Sequence, residues 1–165
     1  MSELPGWLIR DDPSYDPNRI GAISQAKVIA ALVGAGKVVL SPVVNVRPYD
    51  LVIEEGGKFA RVQCKTGRLF RGAVCFRPHR LRAAKRETGW ERRVTSYRGE
   101  VDFFGVYCPE NEQVYLVPIE DAGERICTLR ITPARNGQHK KIRWARKYLV
   151  RPMQVDVTEE SLTLS

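Results

Sequence analysis

A chain of 165 residues and 18.7 kDa is long enough for one self-sufficient core and short for two ordinary domains, so the expectation is a single domain over 1–165, with a core of about 19–150 and a tail of 151–165. The apolar share of 43% excludes a disordered chain, and no apolar run reaches the roughly 18 residues of a spanning helix. The net charge of +8 and pI of about 9.6 point to a polyanionic partner, although a basic surface also serves solubility.

The start Met1-Ser2-Glu3-Leu4-Pro5 lacks the basic and apolar regions of a signal peptide, so an intracellular setting is expected. Cys64, Cys75, Cys108 and Cys127 are widely spaced without a CxxC pair, which reads as buried thiols in a reducing compartment rather than a zinc site or a disulfide frame. His79 and His139 are too few and too far apart for a histidine metal centre.

In chain order, a polar, turn-rich stretch over 11–18 leads into a helix over 19–33, which Gly34 and Gly36 stop. Residues 37–41 read as a short strand. Next comes the most informative segment, Glu55-Gly56-Gly57-Lys58, a two-residue turn that dictates the pairing on either side. It sets Glu55 opposite Lys58, Glu54 opposite Phe59, Val52 opposite Arg61 and Asp50 opposite Gln63, with Lys65 two residues on. Leu51, Ile53, Ala60, Val62 and Cys64 then share the other, core-facing side, and a one-residue slip would bury Asp50, Gln63 or Lys65 among them.

Beyond the hairpin, 72–76 reads as a strand and 78–98 loses periodicity, suggesting a helical turn at 81–85 within a mobile basic loop. Residues 101–107 and 113–117 read as a second antiparallel pair, 119–122 as the start of a short helix and 128–131 as a late strand. A loop over 136–139 and a basic segment from 141 complete the chain, without internal repeats or a helix-turn-helix.

The hairpin gathers an acid, an amide and an ammonium, with directly opposed side chains about 5 Å apart at Cβ. Asp50, the Gln63 carbonyl and the main-chain carbonyl of Cys64 are hard oxygen donors suited to Mg²⁺, which completes its shell with water and substrate phosphate. Lys65 beside such an ion would orient or deprotonate a water, or offset charge growing on phosphorus. Taken alone, a D…QxK pattern also fits an ordinary solvated hairpin face.

This pattern, Pro48-Tyr49-Asp50 followed by Gln63-Cys64-Lys65, resembles the signature of the PD-(D/E)XK phosphodiesterases. The segment from Ile20-Gly21-Ala22-Ile23-Ser24-Gln25-Ala26-Lys27 on to Leu32 resembles that family's first helix, and Tyr97, followed by Val101-Asp102-Phe103-Phe104-Gly105-Val106-Tyr107-Cys108-Pro109, is similar to segments of archaeal-type Holliday junction resolvases and of group I intron-associated homing endonucleases. The stretch from Leu129 to Gln138, with Ile142-Arg143-Trp144-Ala145, looks like the tail of the intron-type branch. The resemblance runs from about Ile20 to Tyr148 and implies an α/β, restriction-endonuclease-like core, a central mixed β-sheet flanked by helices.

It also implies catalytic roles for Asp50, Gln63, Lys65 and Gln25, with Mg²⁺ as cofactor and Mn²⁺ as substitute. Three departures stand out: Gln25 occupies the place of a helix glutamate, Gln63 that of a second acidic ligand, and Pro48 lies two residues before Asp50. Gln25 reads as natural, as the mark of an inactive variant, or as a misalignment in which Asp16 or Glu54 serves instead.

The positive charge is concentrated in two blocks, and the expected DNA contacts are Arg61, Arg68, Arg71, Arg77, Arg80, Arg82, Lys85 and Arg86 in the first and Arg135, Lys140 and Lys141 in the second. Arginines outnumber amides in the plausible contact loops, where Asn136 and Gln138 stand alone, which favours reading of DNA shape over sequence. The expected function is therefore Mg-dependent cleavage of four-way DNA junctions, with sequence-specific homing cleavage and a catalytically impaired DNA-binding fold as alternatives. Cutting two strands implies a homodimer or higher symmetric oligomer, for which the Phe103-Phe104 and Trp144–Tyr148 regions are contacts unless they are core. The expected location is cytoplasmic and nucleoid-associated, in a prokaryotic or phage-encoded setting.

Overall fold

The computed structural model describes residues 8–133 and 141–154. Helix α1 spans Pro17–Gly34 and begins two residues earlier than expected. Asp16 is its N-cap, accepting from the Asn18 N–H at 2.9 Å, and Pro17 sits at the first helical position, where its missing N–H costs nothing. Ile20, Ser24, Val28 and Leu32 recur every four residues and form its buried stripe.

That stripe lies on a five-stranded sheet in the order β1-β2-β3-β8-β9. The strands are β1 (Val38–Leu40), β2 (Leu51–Glu55), β3 (Lys58–Thr66), β8 (Phe103–Cys108) and β9 (Gln113–Pro118). Only β3 and β8 run parallel, so the sheet is mixed as expected. The β2–β3 register matches the one dictated by the glycine turn, from Glu55 opposite Lys58 to Leu51 opposite Val62. Gly56 and Gly57 both adopt positive φ, at 59° and 76°, as the tight hairpin turn requires.

The expectation of flanking helices holds on one face only. Opposite α1 the sheet is covered by a second, three-stranded sheet in the order β10-β5-β4, formed by β4 (Arg68–Phe70), β5 (Ala73–Phe76) and β10 (Cys127–Arg130). Alternation along β8 serves both layers. Tyr107 joins Val28, Leu32, Leu51, Ile53 and Val62 under the helix, while Phe104, Val106 and Cys108 join Val74, Phe76, Val117 and Leu129 between the sheets. Phe104 and Tyr148 are core residues, 0% and 7% exposed, so neither is available as a contact between copies.

Residues 78–98 are not a loop. They form a long two-stranded ribbon, β6 (His79–Arg86) and β7 (Gly89–Ser96), joined by Glu87 and Thr88. Its periodicity is hidden because most residues on both faces are exposed, so no apolar alternation marks the strands. The short β4 escaped notice for want of length, and the helix expected at 119–122 is a single 3₁₀ turn, Ile119–Asp121. A second 3₁₀ turn, Ala145–Lys147, returns the chain to β9, where the Leu116 N–H donates to the Tyr148 carbonyl at 2.8 Å and the Val150 N–H to the Val114 carbonyl at 2.9 Å.

Two contacts clamp the parallel pair. A Cβ at Gly105 would lie 2.6 Å from Val28 Cγ1 and 3.2 Å from Val62 Cγ1, so the helix rests directly on the β8 backbone. Upstream, Arg61 grips Asp102 through Nε and Nη2, both at 3.0 Å, and through its own N–H at 2.7 Å, and its Nη1 reaches the Gly99 carbonyl at 3.0 Å. The guanidinium at hand holds the Asp102 carboxyl below its usual range.

Gly105→Ala is expected to overpack this contact and destabilise the protein by about 2 kcal/mol, read as a lower midpoint in urea unfolding. Arg61→Ala removes a partly exposed bidentate pair, and a loss of about 1 kcal/mol is expected from the same measurement.

Candidate active site

Asp50 lies just beyond the β2 ladder, where its N–H donates to the Val62 carbonyl at 2.9 Å. That bond aims its side chain along β3. Asp50 Oδ2 accepts from the Cys64 N–H at 2.8 Å and from Gln63 Nε2 at 2.6 Å, and the same Gln63 nitrogen reaches the Cys64 carbonyl at 3.3 Å. Two of the three oxygens assigned to a cation from the sequence thus already converge on one point, which the amide nitrogen fills. The residues fit a hard divalent ion: were the Gln63 amide turned over, its Oε1 would join the Asp50 carboxylate and the Cys64 carbonyl as donors. Among the described residues, no group of three or more His, Cys, Asp or Glu side chains offers another metal site.

Lys65 projects from the same face of β3. Its Nζ donates to the His79 carbonyl at 3.1 Å and to the Tyr97 hydroxyl at 3.3 Å, and lies 4.7 Å from the centre of the Tyr97 ring. Arg80 approaches that ring too, at 5.1 Å, and its Nη2 pairs with Glu100 at 2.7 Å, although its buried Nε finds no acceptor among the described residues. Tyr97, 5% exposed and edge-on to Phe104 at 5.6 Å, therefore organises the amine. Tyr97 heads a segment that the family resemblance includes, but nothing local ties it to Lys65, 32 residues away.

Both charges are under-solvated. Burial raises the Asp50 pKa against the opposing help of the Cys64 N–H and Lys65. Burial, together with Arg80, pushes the Lys65 amine down to about 8 although Asp50 opposes it. Each group thus gains from a further counter-charge, a cation for Asp50 and an anion for Lys65.

Gln25 is half-buried on α1 and makes no hydrogen bond to Asp50, Gln63 or Lys65. Its neighbour Ser24 is the buried residue, 2.6 Å from the Thr66 hydroxyl. The alternative carboxylates have structural work: Asp16 caps α1, and Glu54 accepts the Gly57 N–H at 2.7 Å in the turn.

The expected DNA contacts divide. Arg61 is committed to Asp102, Arg68 to the Leu8 carbonyl at 2.9 Å and to Glu110 at 3.4 Å, and Arg80 to Glu100. Arg71 and Arg77 are exposed, as are Arg82, Lys85 and Arg86 on the ribbon, where Arg86 pairs with Glu91. Lys141 is exposed, and Arg135, Asn136, Gln138, His139 and Lys140 lie outside the described residues. His79 Nδ1 sits 3.3 Å from the Glu124 carbonyl. All four cysteines are free thiols, but only Cys108 and Cys127 are buried as expected, whereas Cys64 and Cys75 are half-buried.

Comparison with known proteins adds the family. The structure of the bacterial homing endonuclease I-Ssp6803I superimposes with a TM-score of 0.62 over 81% of this chain and 88% of that one, at 22% identity, which is a likeness of fold. No curated protein matches in sequence. The PD-(D/E)XK endonuclease family model matches residues 15–151, spanning α1, the Asp50–Gln63–Lys65 cluster and the sheets, so the chain belongs to the PD-(D/E)XK endonuclease family.

Proposed function

We propose that the chain is a divalent-cation-dependent DNA endonuclease that grips duplex DNA with its β6–β7 ribbon and cuts one strand at the Asp50–Gln63–Lys65 cluster. The observation that carries this reading is the convergence of Asp50 Oδ2 and the Cys64 carbonyl on a single donor beside Lys65, in a chain of this family. Asp50, Cys64 and a turned Gln63 would hold Mg²⁺, or Mn²⁺ in its place. A bound ion of this kind supplies polarisation of a phosphate oxygen and a lower proton affinity for water. Lys65, held by Tyr97 and the His79 carbonyl, faces the phosphate and balances the negative charge that grows as the bond to the leaving oxygen breaks. Asp50 is the only carboxylate of the cluster, which makes cation affinity modest.

The ribbon favours duplex DNA over a branched junction. The junction expectation leans on arginines outnumbering amides in the contact loops, whereas a two-stranded β-ribbon is of a size that the major groove admits. Arg82 stands directly opposite Arg93, a like-charge pair that destabilises the free ribbon and is relieved by phosphates. The name of I-Ssp6803I, a homing endonuclease, agrees with sequence-directed cutting. Two strands cut at related positions need two such sites, so we place the active form as a symmetric dimer.

The test is incubation with Mg²⁺ or Mn²⁺ on a library of randomised duplexes beside four-way junctions. Cleaved duplexes sharing a sequence are expected; symmetric cuts confined to junctions would restore the branched-substrate reading, and binding without any cleavage would make the chain a DNA-binding relative. Lys65→Ala is expected to lower the cleavage rate at least about 100-fold, with DNA affinity in a filter-binding assay held within about threefold. Replacing Arg82 and Arg93 together by alanine should reduce the slope of log affinity against log salt by about two units, roughly one per phosphate contact.

A further inference from the structure

We infer that the cleft beside Lys65 is a socket for one unpaired nucleotide of the bound strand, its phosphate against Lys65 and Arg77 and its base between Leu81 and Ile126. The cleft has a volume of about 630 Å³, within the range of small-ligand sites. It does not include Asp50 or Gln63, so it lies next to the cation-binding oxygens rather than on them.

The lining has a dual character. Lys65 and Arg77 bring positive charge, Arg77 makes no ion pair among the described residues, and no carboxylate contributes to the wall. The apolar part comes from separate elements: Leu81 from β6, 48% exposed, Ile126 from the segment before β10, 60% exposed, and Phe76 behind them. An exposed aliphatic residue alone means little, but two of them brought to one cationic cleft suit a ligand with an anionic end and a flat apolar body. That is the chemistry of a nucleotide. A second groove of about 380 Å³ shares Thr66, Arg68 and Arg77 with the first and leads to Tyr15 and the first turns of α1, so a strand seated in the socket has a continuous way out.

A base seated against Leu81 and Ile126 cannot be stacked in a helix at the same time, so the nucleotide is drawn out of the duplex as enzymes that act on single bases do. The inference rests on the endonuclease reading for the identity of its polymer.

Binding measured without metal separates the two. The metal-free protein is titrated with 2′-deoxyadenosine 5′-monophosphate, with 2′-deoxyadenosine and with inorganic phosphate, followed by ¹⁵N–¹H NMR. The nucleotide is expected to bind at least tenfold tighter than either fragment and to shift the amides of Lys65, Leu81 and Ile126. The double variant Leu81→Ser, Ile126→Ser alters two exposed positions, and with an unchanged melting temperature it should bind the nucleotide no better than phosphate. Equal affinity for nucleotide and phosphate, or a double variant that binds like the wild type, overturns the socket. Cleavage of DNA without nucleotide preference would remove the socket and leave the nuclease, whereas nucleotide binding without cleavage would do the reverse.

Discussion

The functional face depends on where the β2–β3 ladder ends. The last of its bonds, from the Asp50 N–H to the Val62 carbonyl, fixes a residue that belongs to no strand, and with it the direction of the carboxylate. From there the pleat does the rest. Gln63 and Lys65 fall on the same side because they are two apart on β3, and they stay there because Val62 and Leu51, both fully buried under α1, occupy the alternate positions. Burial on one face of the strand thereby holds the polar groups of the other in place.

The polar face is itself unusual in being packed rather than bathed in solvent. The layer opposite α1 is a small sheet with the ribbon's base beside it, and it brings Tyr97 and the His79 carbonyl to Lys65. Burial works against both charges of the cluster, since Asp50 is raised and Lys65 lowered although they attract each other. Desolvation therefore outweighs their mutual attraction, the situation in which an added ion pair of opposite arrangement is best received.

Much of this was legible in the letters. The glycine pair at 56 and 57 carried the hairpin and its register, the polar lead-in before residue 19 and the stops at Gly34 and Gly36 carried the helix, and the stretches 101–107 and 113–117 carried the second strand pair. What stayed hidden lacks a local signature. The ribbon has two wet faces and so no apolar rhythm, and the partners of Arg61, Arg80 and Lys65 lie far along the chain or across the fold. A basic residue in a block looks alike whether it awaits a phosphate or holds Asp102. Two strands of the sheet that replaces the expected second helical layer, β5 and β10, were visible separately, but the pairing of Ala73 with Arg130 spans too much sequence to be inferred from either.

The Gln63 amide has one more implication. By resting between Asp50 and the Cys64 carbonyl it acts as a neutral placeholder at the point where the two oxygens converge. An arriving ion would have to turn that amide over, so that its oxygen joins the other two. Under the endonuclease proposal, entry of the ion would then turn on the rotation of one side chain, with both strands left in place.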